Sequence, residues 1–110
     1  MSLPRVGLRA LPAEFPALEE WEIPLDELPG DRPFSMARFT VAPGGRTPPD
    51  SHAVTEIWLL LDGRGTLHYG GVPHEVGAGD VVGFAPFVEH MLLADRGTPV
   101  SALSIWWRSS

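Results

Sequence analysis

Prolines and glycines, 12 of each among 110 residues, are spread along the whole chain rather than gathered in one tract. Proline breaks a helix interior, and both residues mark turns. That spacing leaves room for short strands and little else. Residues 34–42, 57–61, 66–69, 72–76, 81–84, 90–94 and 100–107 read as strands, each bounded by turn residues. With an edge segment near the N-terminus they make about eight, which predicts an all-β sandwich or barrel. No internal repeat and no convincing helix interrupts the pattern. Gly70-Gly71 marks a two-residue hairpin that sets residue 69 opposite 72 and 67 opposite 74. His68 and His74 then lie on opposite faces and cannot share an ion.

At this length the chain is one domain. Residues 1–31 nevertheless differ from residues 32–110. Prolines at 4, 12, 16, 24 and 29 forbid a long helix, and half of the 14 acids lie there. Glu14–Glu22 reads as a short turn of helix, and Trp21–Leu25 as an edge strand that tolerates Pro24. The segment is expected to pack as an arm on the barrel or on a partner subunit, the chain forming a homodimer.

The stretch from Pro43 to Gly65 carries the chemistry. Asp50, His52 and Glu56 all precede or enter the apolar run Ile57–Leu61, and all sit at even positions. On an extended chain they share a face. Polar groups beside a buried strand are costly unless something pairs them, and a metal ion pairs several at once. His52 and Glu56 are ~13 Å apart along an ideal strand, whereas two ligands of one ion each lie within roughly 2 Å of it. The chain is therefore expected to bend around residues 53–55. In the strand before this stretch, Phe39 and Val41 share one face, and Met36, Arg38 and Thr40 the other. Arg38 reads either as an exposed arginine or as an inward guanidinium that fixes a substrate carboxylate.

A formal charge of −6 argues against nucleic acid or an anionic membrane as the main partner. No apolar run is long enough to cross a membrane or to act as a signal peptide, so a cytoplasmic protein is expected. The chain has no Lys and no Cys. Schiff-base chemistry, cysteine nucleophiles and iron–sulfur ligation are excluded with them.

From Gly44 to Gly63 the sequence reads G-x5-D-x-H-x3-E-x6-G. This resembles the first motif of the cupin superfamily, with Asp50 where the first histidine stands. A second cupin-like motif runs from Gly79 to His90. In it proline is displaced to Pro86, Phe87 replaces the usual glycine, and Ala94 replaces the usual asparagine. The resemblance covers roughly residues 34–107, and it implies a double-stranded β-helix barrel of jelly-roll type.

The resemblance also implies a ligand set of Asp50, His52, Glu56 and His90 around a divalent metal ion. Two nitrogens with two carboxylates suit Zn, Fe, Mn or Ni better than Cu(I). If Asp50 stands back, the others form a two-histidine, one-carboxylate set and Asp50 becomes a candidate general base. Asp50 and Glu56 are the candidate catalytic carboxylates. Arg38, Met36, Trp58, Phe84 and Trp106 are candidate substrate-binding residues in a pocket sized for a small molecule. Three functions remain open: a metalloenzyme of isomerising, cyclising or oxygenating type, a non-catalytic binding module, and a barrel whose metal site has decayed.

Overall fold

A computed structural model of the chain describes residues 1–108. Its strands are β1 (Arg9–Ala10), β2 (Leu18–Ile23), β3 (Ser35–Val41), β4 (Val54–Asp62), β5 (Arg64–Tyr69), β6 (Val72–Gly77), β7 (Val81–Phe84), β8 (His90–Ala94) and β9 (Val100–Arg108). A 3-10 turn at Leu25–Glu27 is the one helical element among the described residues. The strands form a six-stranded sheet in the order β1-β2-β3-β9-β4-β7 and a three-stranded sheet in the order β6-β5-β8. Two isolated bridges, Arg46 to Leu93 and Asp50 to His90, lay the segment before β4 along β8 as a ragged extra strand. Phe39, Trp58, Leu60, Leu67, Phe84 and Leu92 belong to one buried cluster that both sheets share. This is the jelly-roll barrel that the sequence pattern predicts.

Alternation builds the barrel's inside. In β3, Ala37, Phe39 and Val41 are buried while the residues between them are half-buried. In β4 the buried positions are Glu56, Trp58 and Leu60. The turn from β4 into β5 requires glycine: Gly63 has φ +86, and a Cβ there would lie 2.0 Å from the Pro99 carbonyl oxygen. The hairpin forms as expected, with Gly70 and Gly71 both at positive φ, Tyr69 opposite Val72 and Leu67 opposite His74. His68 is thereby paired with Pro73, on the face away from His74.

The N-terminal segment departs from expectation. Glu14–Glu22 makes no helical turn. The chain turns sharply at Ala17 (φ +64) and runs straight into β2. Each residue of β2 finds a register partner on β3, from Leu18 opposite Val41 to Ile23 opposite Met36. Six residues of ladder with Leu18 buried outweigh a weak local helix preference. The strand ends at Ile23, before Pro24, and β1 covers its other edge.

Two rows on the outer face of the six-stranded sheet are largely apolar, beside a polar row of Glu19, Thr40, Ser101 and Asp62. One row across it runs Trp21, Arg38, Leu103, Leu59 and Val81, and the next runs Ile23, Met36, Ile105 and Ile57. Val81 and the neighbouring Leu61 and Trp107 are exposed, and most of the rest are half-buried.

Candidate metal centre

The chain bends at Ala53, just before β4 begins, as the ligand spacing demanded. The bend swings His52 back over the strand, and its Nε2 lies 2.8 Å from Glu56 Oε1. His90 arrives from the other sheet at the first residue of β8, with its Nε2 3.3 Å from the same oxygen. Asp50 is held directly opposite His90 by a reciprocal backbone pair: each N–H donates to the other's carbonyl, at 3.1 and 2.9 Å. Asp50, His52 and His90 each offer a donor atom within 4.8 Å of the others, a group able to hold a metal ion. The graded exposure is informative. His90 is 3% exposed, His52 is intermediate and Asp50 opens to solvent.

Both imidazoles are oriented from behind. His52 Nδ1 lies 3.2 Å from the Val54 carbonyl, and His90 Nδ1 lies 3.3 Å from the Val88 carbonyl. A carbonyl only accepts, so Nδ1 carries the proton and Nε2 turns inward. The loop before β8 clamps both histidines. Phe87, exposed and at φ +65, donates its N–H to the His52 carbonyl, while Val88 supplies the acceptor for His90. The His90 ring is stacked on Phe84 at 4.2 Å between centroids and 3° between planes, and the Trp58 ring meets it edge-on with centroids 5.6 Å apart.

The Glu56 carboxylate is equally constrained. Its Oε2 accepts hydrogen bonds from Trp58 Nε1, at 3.0 Å, and from Ser104 Oγ. Burial alone would push the Glu56 carboxyl up. Hydrogen bonds from His90, Ser104, Trp58 and His52 outweigh it and bring the group down to about 2 from 4.5. Burial likewise pushes His90 down, but its hydrogen bond to Glu56, the contact with Val88 and the charges of Glu56 and Asp50 raise it above 6.5. A bare Nε2 and a carboxylate oxygen both present lone pairs. They sit this close only with positive charge between them, a proton on the imidazole or a metal ion. Asp50, His52 and His90 thus form a group that fits a divalent cation, two inward Nε2 atoms with one carboxylate at the open side; Glu56 lies outside that group and touches both imidazoles through Oε1.

These residues line a cavity of ≈ 470 Å³. Trp58 and Trp106 line it as expected; Trp107 does not, and points away from it. Phe84 does not line this cavity: it lies behind His90, 2% exposed, with its ring stacked on the imidazole. Arg38 and Met36 do not line it either. They alternate with Ala37 and Phe39, which line the cavity, so both belong to the outer face and no guanidinium enters. Among the lining residues that escaped the sequence reading are Ser104 and Glu20. Ser104 was signalled by the alternation Val100, Ala102, Ser104, Trp106, all inward on β9. Glu20 was not signalled, because Glu19, Glu20 and Glu22 look alike until pairing with Phe39 turns Glu20 into the cavity.

Comparison with known proteins agrees with this architecture. The family model described as "Cupin domain" matches residues 37–106. The polyketide cyclase RemF from Streptomyces resistomycificus superposes with a TM-score of 0.77 at 23% identity, over 96% of this chain and 79% of that one. A cupin 2 conserved barrel domain protein from Salinispora arenicola gives 0.76 at 24% identity, over 99% and 90%. A predicted oxalate decarboxylase from Thermotoga maritima gives 0.76 at 19%, over 94% of both chains. At such identities the neighbours establish the fold and leave the chemistry to the residues. The family model itself spans most of the chain, from the third strand to the last, and this protein belongs to the cupin domain family.

Proposed function

We propose that the chain is a divalent-metal cupin that acts on a small molecule as an enzyme of isomerising, cyclising or oxygenating type. The observation that carries this reading is the double orientation of the histidines, each with Nδ1 held by a backbone carbonyl and Nε2 turned to a common point. A barrel that had lost its metal would have no use for two imidazoles aimed at one carboxylate. His52, His90 and Glu56 would hold the ion, with Asp50 as a fourth ligand or as a base beside it. The bound ion would supply Lewis acidity, polarising an oxygen of the ligand. Glu56 has both oxygens occupied and is assigned to ligation; of the two carboxylates only Asp50 is open enough to move a proton. Trp58 and Ser104 hold Glu56, and Trp106 walls the cavity.

The test is elemental analysis of protein purified without added metal. Stoichiometric divalent metal in wild type, lost in His52→Ala and His90→Ala, is the expected result; unchanged metal content in both variants would sink the site. Asp50→Ala then separates ligand from base: affinity falls in the first case, and metal stays in the second.

The apolar outer face supports a homodimer as well, with two six-stranded sheets meeting back to back. Such a contact is self-complementary, as a two-fold interface requires, and it would cover apolar residues that a monomer leaves in water. The N-terminal arm would take part in this contact through Trp21 and Ile23 of β2.

A further inference from the structure

The cavity has an electrostatic character that its metal ligands do not explain. Three carboxylates line it, Glu20, Asp50 and Glu56, and none of the eight arginines does among the described residues. Arg38 faces outward, Arg9 is spent on Glu22, and Arg46 lies over the Phe15 ring. The rest of the wall is chiefly apolar, including Leu11, Leu18, Phe39, Val54, Trp58 and Trp106. A divalent ion at the centre would be neutralised by Asp50 and Glu56, which leaves the Glu20 carboxylate uncompensated. Glu20 enters no ion pair among the described residues. It projects from β2, three strands from β4 in the sheet, about 14 Å away at backbone level. The curl of the barrel brings both strands over the same cavity. Burial and the neighbouring charges of Glu14, Asp50 and Glu56 raise the Glu20 carboxyl above its ordinary value, as expected where negative charges share one space.

We propose that the cavity selects a small, largely apolar molecule carrying no anionic group, and that Glu20 sets this selectivity by meeting the end of the ligand away from the metal centre. The proposal rests on the assignment of this cavity as the ligand site. Its substrate would present an oxygen to the centre, an apolar or aromatic body to Trp106 and Phe39, and a hydroxyl or ammonium to Glu20. Dicarboxylates and phosphorylated compounds would be turned away. The similarity in fold to a predicted oxalate decarboxylase therefore does not extend to a dianionic ligand.

The experiment uses one aromatic frame with three charges: 4-methylphenol, tyramine and 4-hydroxyphenylacetate. Binding of each is measured by titration calorimetry to wild type and Glu20→Gln, with and without metal. Wild type is expected to take tyramine and 4-methylphenol more tightly than 4-hydroxyphenylacetate. Glu20→Gln is expected to strengthen the anionic probe roughly fivefold, weaken tyramine by a similar factor, and leave 4-methylphenol within about twofold. Glu20 is exposed and the exchange is isosteric, so an unchanged thermal midpoint shows that the fold is intact. Three results would overturn the proposal: tightest binding of the anion by wild type, equal response of all three probes to the substitution, or no binding of any probe at millimolar concentration. A wild type that holds no metal yet keeps the charge order would refute the metal assignment and leave this selectivity standing.

Discussion

The two faces of the six-stranded sheet each depart from the usual arrangement. Its inner face, otherwise the apolar core of the barrel, carries Glu20, Glu56 and Ser104, while its outer face carries the half-buried Trp21, Ile23, Ile57, Leu59, Leu103 and Ile105. Both sets come from the same strands one residue out of phase. A fold needing only a stable core would place these groups the other way round. The two buried ones are tolerated because they are answered, Glu56 by four donors and Ser104 by Glu56, and no buried side-chain polar atom among the described residues lacks a partner; Glu20 is exposed and enters no ion pair among them. The outer apolar groups have no such answer within one chain. The paired interior supports the proposed site, and the apolar exterior supports the proposed contact.

That contrast can be broken first at the outer face. Ile105→Arg places a charge in the middle of the apolar rows and should turn a dimer in light scattering into a monomer without loss of metal. A wild type already monomeric at micromolar concentration would remove the outer half of the comparison. On the inner side, Phe84→Ala should cost about 3–5 kcal/mol in chemical unfolding, and it should lower metal retention because His90 loses the ring stacked on it. A large loss of stability with metal binding intact would show that the stack matters to the core alone. Ser104→Ala leaves Glu56 Oε2 with only Trp58 as donor, and should cost about 1–3 kcal/mol. Arg38→Ala, one residue out of phase with the cavity, should change metal content and probe binding not at all and stability by no more than ~0.5 kcal/mol. An effect on ligand binding there would mean that the assignment of faces in β3 is wrong.

The pH response of the metal-free protein sharpens the same contrast. The Glu56 carboxyl is depressed from 4.5 to about 2, so its contribution to stability is present above 4.5 and lost as pH falls toward 2. The His90 imidazole is raised above 6.5, so its contribution is full below 6.5 and lost as pH rises through the raised value. Thermal midpoints should therefore pass through a maximum between 4.5 and 6.5. Glu56→Gln should flatten both limbs. A profile identical in wild type and variant would show that the pair is not coupled to folding.

Much of this was legible without coordinates, for reasons of period. Strand alternation has a period of two, so the even positions of Asp50, His52 and Glu56 suggested a common face, and the four-residue gap demanded the bend found at Ala53, ahead of β4. Glycines at the hairpin and at Gly63 set turns that few other residues can adopt, and the register of β5 with β6 followed from them. Spacing from Gly79 put His90 at the start of β8.

What alternation does not carry is which of a strand's two faces points inward, and that depends on a neighbour distant in sequence. Met36 and Arg38 looked as eligible as Ala37 and Phe39 until β3 was paired with β2 and β9. Glu20 was one of three similar glutamates until its register with Phe39 turned it inward. Phe84 was an apolar side chain near a motif until His90 came to rest flat against it from the other sheet. The sequence by itself determined which residues could act together along one strand, because local geometry repeats every second residue. Only the tertiary structure decided which residues of different strands share a cavity, because those distances are set by sheet order and curl.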